Sequence, residues 1–203
     1  MKELTDIQRQ QFEALPALYA DWNAKINVVS RKDIDQLELH HVRHSLAIAG
    51  YVDEVLGGWQ AGTTVVDVGC GGGFPGIPLA IMFPDVKFLL VDRIGKKVRV
   101  AQAVADAIGL KNVETRHAGI EEVKQEFDYA VSRAVMNLPD LLKLVKRCTR
   151  KGLICLKGGD LSEELAPAIC RGTKLEPVRR WVDDPFFDDK YVVFTPITHK
   201  PCR

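Results

Sequence analysis

Apolar side chains at Phe12, Leu15, Tyr19, Trp22 and Ile26 recur every three or four residues, which predicts one amphipathic helix early in the chain. A second helical stretch is predicted from residue 33 to about 55, with Leu37, His41, Leu46, Ile48 and Ala49 available for packing. Gly57-Gly58 closes that region. From Thr63 the pattern changes to short apolar runs at 63–68, 86–92, 112–117, 127–132 and 152–157, which read as strands. Helix-like segments at 76–83, 95–108, 120–125 and 137–149 separate them. Such alternation predicts an α/β fold, a mostly parallel sheet with helices on both faces. After Gly158-Gly159 come a helix near 161–169 and two β-rich runs, 174–182 and 191–196, placed to pair as an antiparallel hairpin. Residues 1–60 read as an N-terminal helical extension and 61–203 as the main domain, within a single structural unit.

The first buried strand empties into Asp67-Val68-Gly69-Cys70-Gly71-Gly72-Gly73-Phe74-Pro75-Gly76. Glycines there admit positive φ and let a ligand approach where a Cβ would collide. The helix that follows is expected to turn free N–H groups toward a polar or anionic ligand. A dinucleotide fingerprint started at Gly69 fails, because its sixth position is Phe74. Started at Gly71 it fits loosely, but Pro75 has no N–H to offer a pyrophosphate. The spacing Asp67-x-Gly69-x-Gly71-x-Gly73 resembles instead the first motif of Rossmann-like methyltransferases that use S-adenosylmethionine.

In a parallel sheet, ligands sit outside the carboxyl ends of the strands. Asp92 ends the second strand, 23 positions after Gly69. Its carboxylate suits a pair of ribose hydroxyls, the alternative being a cap for the helix beginning near Gly95. After the third strand, backbone groups of Ile120 and Glu121 suit an adenine edge, while Glu122 is open to either a pocket role or a helix-terminal charge role. Arg133 follows the fourth strand in Ser132-Arg133-Ala134, where it could hold a carboxylate, hydrogen-bond a base edge, or form a structural ion pair. Lys157 ends the fifth strand and is a weaker candidate for an RNA phosphate.

Composition bounds these readings. The chain has 203 residues, 46% hydrophobic and 27% charged, as a soluble globular protein does. It shows neither a membrane-length apolar run nor the apolar core of a signal peptide, so a cytoplasmic location is expected. Five cysteines (70, 148, 155, 170 and 202) form no close ligand pair, so they are expected to be reduced thiols with no metal. A net charge of +1 gives no global argument for nucleic acid. Basic groups nonetheless cluster at Lys96-Lys97-Arg99, Arg147-Arg150-Lys151, Arg171-Lys174 and Arg179-Arg180, either as phosphate contacts or as solvated faces.

Several stretches together resemble the bacterial small-subunit ribosomal RNA guanine-N7 methyltransferases, the glucose-inhibited division protein B family. They are Leu18-Tyr19-x-x-Trp22-Asn23-x-Lys25-Ile26-Asn27-Val28-Val29-Ser30, the glycine turn with its Phe74-Pro75-Gly76-Ile77-Pro78 extension, Val91-Asp92 with Lys96-Lys97, Ser132-Arg133-Ala134, and Leu156-Lys157-Gly158. The resemblance implies a Rossmann-like fold with S-adenosylmethionine held by Gly69, Phe74, Ile120, Glu121 and Arg133, to which the turn and the second strand add Gly71 and Asp92. The implied partner is small-subunit ribosomal RNA or a 30S assembly intermediate, with no membrane and no metal. Guanine N7 carries a lone pair and no proton, so no catalytic base is expected, and Arg133 is at most a positioning group. Three departures stand out: Cys70 for a small polar residue, Arg93 for the usual Ser after Asp92, and His44 for Asp in His41-Val42-Arg43-His44-Ser45. A methyltransferase of another substrate, or a non-enzymatic nucleotide- or RNA-binding module, are the alternatives.

Overall fold

A computed structural model describes residues 3–30, 33–133, 135–167 and 170–197. Helix α1 spans Asp6–Asn23 and starts on a capping box, in which Thr5 and Gln8 satisfy each other's backbone N–H. The predicted helix over 33–55 is three pieces: a 3₁₀ turn at Ile34–Gln36, a π-helix at Leu37–Arg43, and α2 at His44–Val55. A π turn carries more residues than an α turn, so a pattern fitted at 3.6 residues per turn does not register it.

The strands are β1 (Thr64–Val68), β2 (Lys87–Asp92), β3 (Val113–His117), β4 (Phe127–Arg133), β5 (Thr149–Gly158), β6 (Lys174–Pro177) and β7 (Lys190–Pro196). They form one sheet in the order β3-β2-β1-β4-β5-β7-β6. The first five are parallel; β7 runs antiparallel to both β5 and β6. Helices α3 (Gly76–Met82), α4 (Gly95–Ala107), α5 (Leu138–Val145) and α6 (Ser162–Leu165) complete the order.

Alternate strand residues feed two apolar layers. Val65, Leu90, Ile154 and Val192 face a layer with Leu15 and Tyr19 of α1, Ile48 of α2 and Val104 of α4. Val66, Leu89, Leu153 and Val193 face the other, with Leu138, Leu141 and Val145 of α5. Helices therefore cover both faces of a largely parallel sheet, as the alternation predicted.

Some boundaries differ from expectation. Segment 120–125 makes only a 3₁₀ turn at Ile120–Glu122. The run 174–182 stops as a strand at Pro177, which has no N–H for the ladder, and turns into a 3₁₀ segment at Val178–Arg180. The expected hairpin forms, but β7 pairs with β5 as well, so it lies inside the sheet. The helix near 161–169 is short, and residues 168 and 169 lie outside the described ones, as do Ala134 and Cys202. Cys70, Cys148, Cys155 and Cys170 are free and buried. No helix among the described residues is long and apolar enough to cross a membrane.

Candidate functional site

The glycine turn is shaped by backbone geometry at the carboxyl end of β1. Gly69, Gly71 and Gly73 adopt φ of 69°, 55° and 112°, a region that side chains disfavour. Gly69 and Cys70 donate their N–H groups to the Val91 carbonyl at 2.9 and 3.0 Å, which ties the turn to β2. From the other side, the buried Tyr19 hydroxyl donates to the Gly72 carbonyl at 2.7 Å. Asp67, fully buried beneath, accepts the Gly76 N–H at 2.8 Å. A Cβ on Gly76 would lie 2.7 Å from that carboxylate oxygen, so only glycine fits.

This arrangement corrects one expectation. The first N–H groups of α3 are not offered to a ligand: Gly76 donates to Asp67, Ile77 to the Gly73 carbonyl, and Leu79 to the Pro75 carbonyl, while Pro78 has none. What the turn offers is a concave backbone surface. A Cβ on Gly71 would meet nothing within 4 Å.

Above the turn opens a cleft of about 630 Å³, and all of Gly69, Gly71, Phe74, Asp92, Ile120, Glu121 and Arg133 line it. Residues up to 64 positions apart in sequence thus share one cavity. Asp92 accepts the Gly71 N–H at 2.9 Å and the Ile94 N–H at 2.7 Å, so it braces the turn rather than capping α4, whose N-cap Ile94 has no side-chain bond. Ile120 is a buried apolar wall. Glu121 pairs with Arg93, one of the departures, across the end of the cleft. Glu122 accepts the Gly119 N–H at 2.7 Å, closes its own turn and does not line the cleft.

Arg133 is half-buried, and burial pulls its guanidinium down to about 10. It donates to the His40 carbonyl at 3.3 Å and to Nδ1 of His41 at 2.8 Å, and lies 5.3 Å from the Phe74 ring centroid. It therefore forms no structural ion pair among the described residues. The sequence offered His41 for packing alone; its hold on an arginine 92 residues away was missed.

Lys157 does not meet the cleft. Its ammonium donates to the Met136 carbonyl at 2.6 Å and to Glu164 at 2.7 Å, which corrects the phosphate reading. Two of the four expected basic clusters are compensated, one wholly and one in part: Arg179 by Asp183 and Asp188 and Arg180 by Glu54 and Glu176, then Arg150 by Glu126 and Lys151 by Asp128. Lys97 differs in that it lines the cleft. Val28, from the Asn23–Ser30 stretch, lines it too; that motif was the available signal for an N-terminal wall. Among the described residues no group of three or more His, Cys, Asp or Glu is placed to hold a metal ion.

The model of the GidB family, rRNA small subunit methyltransferase G, matches residues 8–174. The chain belongs to this family. A ribosomal RNA small subunit methyltransferase G of Bacteroides fragilis is 54% identical over 203 residues, with 96% of each chain covered. One of Flavobacterium psychrophilum is 50% identical, covering 98% of this chain and 95% of the relative. Among solved structures, magnesium protoporphyrin IX methyltransferase from Synechocystis with bound S-adenosylmethionine superposes at a TM-score of 0.61. It is 12% identical and covers 98% of this chain and all of the other, so the likeness is one of fold. An S-adenosylmethionine-dependent methyltransferase from Aquifex aeolicus gives 0.55 at 19% identity, over 84% of this chain and 100% of the other.

Proposed function

We propose that this chain transfers the methyl group of S-adenosylmethionine to N7 of a guanine in small-subunit ribosomal RNA, in the cytoplasm. The observation that carries the reading is the gathering of Gly69, Gly71, Phe74, Asp92, Ile120, Glu121 and Arg133 on one cleft, in a chain of the GidB family.

The residues present fit the cofactor. The cleft volume is in the range of small-molecule sites. Gly71 leaves open space where any side chain would intrude. Ile120 supplies an apolar face for a base, Asp92 an acceptor for hydroxyls, and Arg133 a cation. When bound, S-adenosylmethionine supplies a methyl group on a positively charged sulfur. The chain's own residues bind and orient. A lone-pair nucleophile needs no proton removed, so alignment at about 3–3.5 Å is the main demand on the site. Cys70 is unsuited to act as a base: burial first, then Asp67 and Asp92, push its thiol upward.

A side chain cannot read N7 in the narrow major groove of an A-form helix. The target guanine is therefore an unpaired or splayed nucleotide of the RNA or of a 30S assembly intermediate. The test is transfer of labelled methyl from S-adenosylmethionine to ribosomal RNA, followed by nucleoside digestion. Label released as N7-methylguanine is the expected result. Label on another nucleoside, on protein, or on fully paired duplex equally well would overturn it.

A further inference from the structure

Among the described residues, Arg133 is a cation held without an ion-paired carboxylate. Both acceptors that fix it, the His40 carbonyl and His41 Nδ1, are uncharged, and both come from the π-helix. Asp67 acts on it only through space. A guanidinium can only donate, so His41 Nδ1 must present its lone pair and the ring proton must sit on Nε2. That nitrogen is buried and finds no acceptor among the described residues. Burial, with the Arg133 charge second, holds the His41 imidazole down to about 4, which keeps it neutral. The Phe74 ring lies 5.3 Å from the His41 ring and 5.3 Å from the guanidinium, so the three groups pack as one unit at the cleft wall.

A carboxylate in the place of His41 would hold Arg133 as firmly, but would cancel its charge. An imidazole holds it and leaves the charge intact. We propose that His41 is a positioning residue of the methyl-transfer site: it aims Arg133 into the cleft through an uncharged acceptor, so that the cation is reserved for an anionic group of the bound reactants. This rests on the methyltransferase reading of the cleft. The anion is a carboxylate or a phosphate, which the cofactor's amino-acid end and the RNA backbone respectively supply.

The test compares His41→Leu, His41→Asn and His41→Asp with Arg133→Met in the full chain. Calorimetry with S-adenosylmethionine gives Kd, and methyl transfer to ribosomal RNA gives KM and kcat. His41→Leu is expected to lose about 10²-fold in the same quantity that Arg133→Met loses. That quantity is Kd if the anion is the cofactor's carboxylate, and KM for RNA if it is a phosphate. His41→Asn, with a neutral acceptor near the Nδ1 position, recovers most of the loss. His41→Asp does not, although it can pair with Arg133. Combining His41→Leu with Arg133→Met adds nothing further. A tolerated His41→Asp, or additive losses in the double variant, would overturn the proposal in favour of a purely structural contact. Should the variants fail to fold, ¹⁵N NMR of wild-type His41 decides: a proton on Nε2 alone from about pH 5.5 to 8 is expected, and a doubly protonated ring sinks it. Absence of any cofactor binding by the wild type would fault the functional reading instead, and the tautomer measurement would still judge the His41–Arg133 contact.

Discussion

Gly71 separates binding from folding more cleanly than any other residue of the turn. Its φ of 55° makes a side chain strained by about 1–2 kcal/mol, but the Cβ enters the open cleft rather than the core. Gly71→Val is therefore expected to fold, with a thermal midpoint lowered by a few degrees, and to lose S-adenosylmethionine binding by about 100-fold or more in calorimetry. Gly69 contrasts with it, since a Cβ there would come within 2.5 Å of Val135. Asp67 gives a pH signature. Burial raises its carboxyl from the usual 3.8 to about 7, while the Gly76 N–H, and then Arg133, oppose the shift. A raised folded-state value means that the stabilising contribution is whole below about pH 4 and is lost as the pH climbs through about 7. Asp67→Asn cannot titrate. Relative to that variant, the wild type is expected to lose about 2–3 kcal/mol between pH 5 and 8, measured by urea unfolding at each pH. An unchanged difference would show that Asp67 is ionised throughout. The sequence disclosed this aspartate and the glycines, because a tight turn after a buried strand needs particular residue types. It did not disclose His41, because a lone histidine in a helical pattern carries no sign of a partner 92 positions away.

Two contacts between elements hold the cleft's walls. The Tyr19 hydroxyl anchors α1 to the Gly72 carbonyl in a buried setting. Tyr19→Phe leaves that carbonyl unsatisfied and is expected to cost about 1–3 kcal/mol in denaturant unfolding, with weaker cofactor affinity as the turn loosens. On the opposite side, Glu164 of α6 accepts from the mostly buried Lys157 of β5 and from the Leu138 N–H at 2.7 Å. Lys157 in turn holds the Met136 carbonyl, in a segment that lines the cleft. Glu164→Ala strands the lysine, and a loss of about 3 kcal/mol is expected. Joint replacement as Lys157→Met with Glu164→Leu is expected to recover much of it in the same unfolding assay. Elements with a strong period were legible: α1 and β1 through β5 lie close to where alternation put them. The π-helix and the early end of β6 were not, since one breaks the 3.6 period and the other depends on a missing ladder donor at Pro177.

For the molecule as a whole, alternation fixed the class of fold and left the strand order open. Parallel pairing between β1 and β4 joins residues 64 positions apart, as Val65 with Tyr129, which local pattern cannot specify. The order matters most at the sheet's far side, where β7 lies between β5 and β6 although it follows β6 in the chain. On the ribosome, β6 emerges with no strand to join, and the rim of β5 stays bare until residues 190–196 have been made. A nascent chain halted at residue 189 is thus exposed to edge-to-edge association with its neighbours. Released at that length, it is expected to sediment as aggregate and to lack the near-ultraviolet circular dichroism of the full protein; a soluble monomer with native dichroism would contradict this. An enzyme that modifies ribosomal RNA would then itself be in need of shelter during the closing moments of its own translation.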